Sequence, residues 1–215
     1  MRIRRKIFGL RPPLAIFIIL VIALFSAGYL IIHFSLSRNL SEDGEYILFE
    51  TDFLKFEFPR NWRARPKWEN NSLCIINMLN TEADSFFGLI YYKSWKFAQS
   101  VFSEFDLKDG LSIATFEINK FYSKIRERAQ NATLQFLENG TLNVSGYDAA
   151  YTIFHIENVT VGNLQYNLTG ILVYFLANQG PIEIVFYTWA DRIWEERYEV
   201  FRSKILESLV IKHGA

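Results

Sequence analysis

Leu54, Phe56 and Phe58 alternate with Lys55 and Glu57, so the stretch LKFEFPRNW begins as a strand with one buried face. Pro59, which has no N–H to give to a ladder, ends it. Other apolar runs rich in β-branched and aromatic residues predict strands near 45–51, 72–79, 86–92, 132–138, 148–157, 164–177 and 181–188. In the last three, YDAAYTIFHI, LQYNLTGILVYFLA and PIEIVFYTW are separated only by the turns ENVTVGN and NQG, which predicts antiparallel hairpins. The period changes over 112–130, where Ala114, Ile118, Phe121, Tyr122 and Ile125 share one helical face. It changes again over 190–209, where Ile193, Trp194, Tyr198, Phe201, Ile205 and Leu209 do the same and Asp191 stands near the start. A shorter helical segment is expected over 94–105. Strands grouped between helices give an α+β class, an antiparallel sheet covered by helices.

Upstream of this domain the pattern is of a different kind. Leu14 to Phe34 reads LAIFIILVIALFSAGYLIIHF, with no acidic residue and no Lys or Arg. At about 1.5 Å per residue it spans roughly 30 Å, the thickness of a bilayer core. Arg2, Arg4, Arg5, Lys6 and Arg11 precede it, whereas all 23 acidic residues lie from Glu42 onward. The expected plan is a cytoplasmic basic head (1–13), a transmembrane helix (14–34), a tether (35–44) and an extracytoplasmic domain (45–212), with the N-terminus inside. A cleaved signal peptide ending near Ser26-Ala27-Gly28 is the competing plan. The apolar run continues well past those small residues, whereas a signal peptide's apolar region is about 7–15 residues.

Asn70, Asn131, Asn139, Asn143, Asn158 and Asn167 each open an N-x-S/T triplet, against about one or two expected by chance. The last five are expected in or beside turns, accessible to glycosylation. Cys74 is the single cysteine and excludes an intrachain disulfide. Many sequons without disulfides fit an archaeal cell-surface protein. Cys74 itself lies in the apolar run LCIIN and reads as a buried thiol.

An aromatic–Pro strand end followed by a Trp (Phe58-Pro59 and Trp62), a G-Y-x-A step into long hairpins (Gly146, Tyr147, Ala149) and a closing helix ending ILESLVI form a recognisable set. Together they resemble the PsbP-like superfamily, which takes in PsbP, the DcrB-type lipoproteins and a nuclear Ran-binding protein. The resemblance covers most of 45–212. It implies an α/β/α sandwich around a central antiparallel sheet, and a role as a binding or assembly factor. No metal or partner residue of that family matches here position by position. The anchor and the sequon density depart from PsbP and speak against a photosynthetic role.

Candidate chemistry is sparse. His33, His155 and His213 are scattered, and no P-loop, G-x-G-x-x-G, G-x-S-x-G or H-E-x-x-H is present, so no cofactor or metal is expected. His155, between Phe154 and Ile156, reads as a structural or solvent-facing strand residue. The net acidic domain argues against nucleic acid, whose binding runs on phosphate neutralisation. The densest cluster is RNWRARPKW, where Arg60, Arg63, Arg65 and Lys67 surround Trp62 and Trp68. It reads either as a docking patch for a protein or an anionic surface, or as a solvated basic loop whose Trp62 plugs a corner of the core. The function expected is a membrane-anchored, extracytoplasmic binding or assembly module without catalysis. The alternative is a cell-surface hydrolase or ligand-processing enzyme.

Overall fold

The computed structural model describes residues 45–64, 68–161 and 164–212. The head, transmembrane helix and tether expected over 1–44 lie outside them, as do Arg65, Lys67 and His213. Among the described residues no helix is long and apolar enough to cross a membrane.

The domain is mixed α+β and mostly strand, built on a large antiparallel sheet. Its strands run in the order β3-β5-β6-β10-β9-β8-β7, with β4 also pairing β5. They are β3 (Trp62–Ala64), β4 (Trp68–Glu69), β5 (Leu73–Asn80), β6 (Ser85–Tyr92), β7 (Thr133–Val144), β8 (Tyr147–Val161), β9 (Leu164–Ala177) and β10 (Gly180–Thr188). The hairpins expected between 148 and 188 are those of β8, β9 and β10. Two of the expected strands leave this sheet. β1 (Tyr46–Glu50) and β2 (Leu54–Pro59) form a separate three-stranded sheet with β11 (Val210–Ile211). A half-buried strand has the same period of two in either sheet, so alternation alone could not separate them.

The strands alternate between two cores. On one face Phe87, Leu89, Ile171, Val173, Ile184 and Phe186 meet the small sheet and the C-terminal helical segment. That segment is a 3₁₀ turn (Asp191–Ile193), then α3 (Trp194–Val200), then a π-helical stretch, Phe201–Leu206. The wider π turn helps Phe201, Ile205 and Leu206 all reach the core. On the other face lie α1 (Trp95–Val101) and α2 (Gly110–Arg126). Ser94 caps α1 by accepting from the Phe97 N–H, and Asp109 caps α2 by accepting from the Ser112 N–H.

β7 runs beyond the segment expected at 132–138, because a bulge between Phe136 and Glu138 reverses its faces. Leu134 and Phe136 pair with Ile156 and Phe154 on the helix side, whereas Leu142 and Val144 pair with Ala149 and Tyr147 on the other. β7 then turns into β8 through Ser145 (φ 56°) and Gly146 (φ 85°). Two successive positive φ values make the tight hairpin turn that Gly favours, and Asn143 Oδ1 accepts the Gly146 N–H at 3.1 Å. This is the physical content of the G-Y-x-A step.

Candidate functional site

At one end of the sheet the β8–β9 ladder sets His155 opposite Thr169. Beyond Ile156 the register slips, and Asn158 takes a left-handed φ of 60°. Its N–H donates to Asn167 Oδ1 at 3.4 Å, and its own Oδ1 accepts from Gln165 Nε2 at 2.6 Å. β10 ends at Thr188, and the 3₁₀ turn that follows carries Asp191 back over β9. Asp191 then joins the cluster through both oxygens. Oδ1 accepts from Thr169 Oγ1 at 2.8 Å, and Oδ2 accepts from Asn167 Nδ2 at 3.1 Å.

Thr169 has one proton, and giving it to Asp191 leaves its oxygen to accept from His155 Nδ1, 2.9 Å away. The relay runs from imidazole to hydroxyl to carboxylate, with Asp191 Oδ1 3.5 Å from Nδ1 itself. It assigns a proton to Nδ1 and turns Nε2 toward Glu157, 3.7 Å away. Thr169 is buried, and its proton is committed to Asp191, so no activated nucleophile results. The relay ties three elements together and holds the Asp191 carboxylate in place.

Beside the relay lies an open groove of about 590 Å³, lined by Gln165, Tyr166, Asn167, Trp189, Asp191 and Arg192. Trp189 is braced edge-to-face by Tyr187 at 5.2 Å and by Tyr166 at 6.5 Å between ring centroids. An indole, two primary amides, a carboxylate and a guanidinium line this one solvent-facing hollow.

The basic–aromatic cluster is divided. Trp62 is 4% exposed, with its ring stacked 6.0 Å from Phe186, and it is part of the core rather than of any docking surface. Arg60 and Arg63 are exposed, and Trp68 is 52% exposed. The sequons divide between strands and turns. Asn139 and Asn143 are inside β7, Asn167 is inside β9 and Asn158 is on the β8 bulge. Asn131 does lie in the turn before β7, and Asn70 accepts from the Ser72 and Leu73 N–H groups between β4 and β5. Cys74 is buried.

Sequence reasoning placed His155 on a strand and Asp191 near a helix start, and missed that they meet. The available signal was the β8–β9 hairpin, whose register brings His155 and Thr169 together. A second omission is Glu183, flanked by Pro181, Ile182 and Ile184 in the central strand β10. It is buried beneath the helices, where Tyr92 Oη donates to its Oε1 at 2.9 Å. Burial, and then the nearby Glu117 charge, push its pKa up to about 8 against the lowering effects of Tyr92 and Lys120.

No protein-family model matches the sequence, and no curated protein matches it. Among solved structures the chain is similar to cyanobacterial PsbP (CyanoP) from Synechocystis sp. PCC 6803, with a TM-score of 0.51 and 14% identity. That alignment covers 80% of this chain and 96% of CyanoP. A protein of unknown function from Pseudomonas aeruginosa aligns over 74% of this chain and 92% of its own, at 10% identity and a TM-score of 0.35. The described domain has the PsbP (CyanoP) fold.

Proposed function

We propose that this chain is a membrane-tethered, extracytoplasmic module that binds a polar ligand or partner group in the groove beside Trp189. The observation that carries the binding role is the braced indole set among fixed polar side chains, with Asp191 anchored by Thr169 and Asn167. Placement outside the membrane rests on the sequence: the apolar run from Leu14 to Phe34 and the basic residues before it. The role implied by the PsbP resemblance, binding or assembly, is consistent with both.

Two measurements on the full chain test this. A reporter fused after Ala215 should be active only outside the cytoplasm. A photo-crosslinking residue at Arg192 should give a discrete adduct in native membranes that Trp189→Ala abolishes, while the same residue at Glu104 gives none. A cytoplasmic reporter, or matching adducts at both positions, would overturn the proposal. The hydrolase alternative draws on one observation, His155 flanked by Asp191 and Glu157. In the binding reading, His155→Gln keeps the Arg192 adduct.

A further inference from the structure

β7 ends the order of strands in the large sheet, and among the described residues no strand pairs with its outer edge. It is twelve residues long and carries Glu138 as its only charge, with no Pro and no Lys. Phe136 and Leu137 are exposed on it. A free edge of this length and composition invites strand addition by a second copy, and proteins blunt such edges with charge, Pro, bulges or a cover. Here the bulge protects one point only.

The part beyond the bulge carries two sequons, Asn139-Gly140-Thr141 and Asn143-Val144-Ser145. Asn139, Thr141 and Asn143 are exposed and alternate with Gly140, Leu142 and Val144, so the two asparagines share one face of the edge strand. Thr141 lies on that face too, next to Asn139. Asn143 accepts the Gly146 N–H through Oδ1, which leaves Nδ2, the atom a glycan takes, outside that bond. Asn167 differs, because its Nδ2 is already given to Asp191 in the groove.

We infer that Asn139 and Asn143 are N-glycosylation sites whose glycans cover the free edge of β7 and keep a second copy of this chain from extending the sheet. The inference rests on the extracytoplasmic placement. In the transfer, Nδ2 forms a bond to the anomeric carbon of a polyprenyl-phosphate-linked glycan. The anomeric C–O bond breaks, the lipid phosphate leaves with the bonding electron pair, and the amide loses one proton.

The test is made on the full chain expressed in an N-glycosylating eukaryotic host. Glycopeptide mass spectrometry should find both sites occupied. The Asn139→Gln/Asn143→Gln double variant should move from one copy to two or more in detergent-solubilised mass measurements, while Asn70→Gln does not. Asn139→Lys/Asn143→Lys, which replaces glycan with charge, should remain a single copy. Bare Asn139 and Asn143 in a chain whose reporter is extracytoplasmic would overturn the inference, as would a glutamine double variant that stays a single copy. A bare chain whose reporter is cytoplasmic would instead overturn the placement on which it rests.

Discussion

The two faces of the large sheet both bury aromatic rings and differ in what lies among them. Toward the small sheet, Phe186 stacks on Phe201 at 4.7 Å, Trp194 at 5.9 Å and Trp62 at 6.0 Å, a dry core of rings. Toward α1 and α2, Tyr92 and Tyr174 lie among Phe102 and Phe154, and Tyr92 reaches a buried carboxyl group. Tyr92 donates to Glu183, Tyr174 donates to the Leu107 carbonyl, and the Thr152 hydroxyl is buried without a partner. The same strand, β10, supplies Phe186 to one face and Glu183 to the other. Around Phe186 the dry face is held by ring packing, so losses there should be large and independent of pH. The wet face should respond to protons.

The largest effect is expected on the dry face. Trp62→Ala should cost on the order of 3–5 kcal/mol, because it removes a buried indole and leaves a cavity against Phe186. Arg63→Ala, one residue on and exposed, should stay within about 0.5 kcal/mol. Chemical denaturation of the domain from Ser41 onward reads both, and an unchanged midpoint for Trp62→Ala would remove Trp62 from the core.

The wet face should show its difference as a pH profile. An unfolded chain loses the Glu183 proton near the ordinary 4.5, whereas the folded domain keeps it to about 8. The folded state therefore binds more protons across that window. Stability from this group is fully present below about 4.5, falls as pH rises and is spent above about 8. Glu183→Gln keeps the shape of the neutral acid and removes the titration. It should match the wild type near pH 4.5 and exceed it at pH 8.5 by on the order of 2–4 kcal/mol. A variant that tracks the wild type at every pH would show the wet face to be insensitive to protons.

The smallest effect sharpens the same contrast. Thr152→Val swaps the unpartnered buried hydroxyl for a methyl of the same shape, and should leave stability unchanged or raise it by up to about 1 kcal/mol. A loss above about 1 kcal/mol in thermal melts would mean that the hydroxyl has a partner.

What could be read from the sequence follows the range of each interaction. Phe56, Phe58 and Pro59 are local: alternation and a missing N–H place them, and they stand buried, buried and at the strand's last position. The long hairpins and α2 are also written within a few turns of chain. The second half of β7 escaped because one bulged residue inverts the pattern on which alternation depends. The small sheet escaped because β11 is two residues long and carries no pattern of its own. The His155–Thr169–Asp191 relay escaped for a third reason. Each member is ordinary in its own neighbourhood, and only the closing turn after β10 makes them neighbours.

β11 has a consequence for how the domain can form. Val210 and Ile211 pair with Lys55 and Leu54, the Lys212 N–H donates to the Phe53 carbonyl, and the Ile211 N–H donates to Ser145 Oγ in the β7–β8 turn. A two-residue strand thus joins the small sheet to the large one, and its partner β2 lies at the opposite end of the domain's sequence. Such high contact order makes the last closure slow, because most of the loop entropy is lost before the contact is made. A chain synthesised with β2 emerging first would leave the outer edge of β2 unpaired until β11 arrives. That interval is when a chaperone would find it.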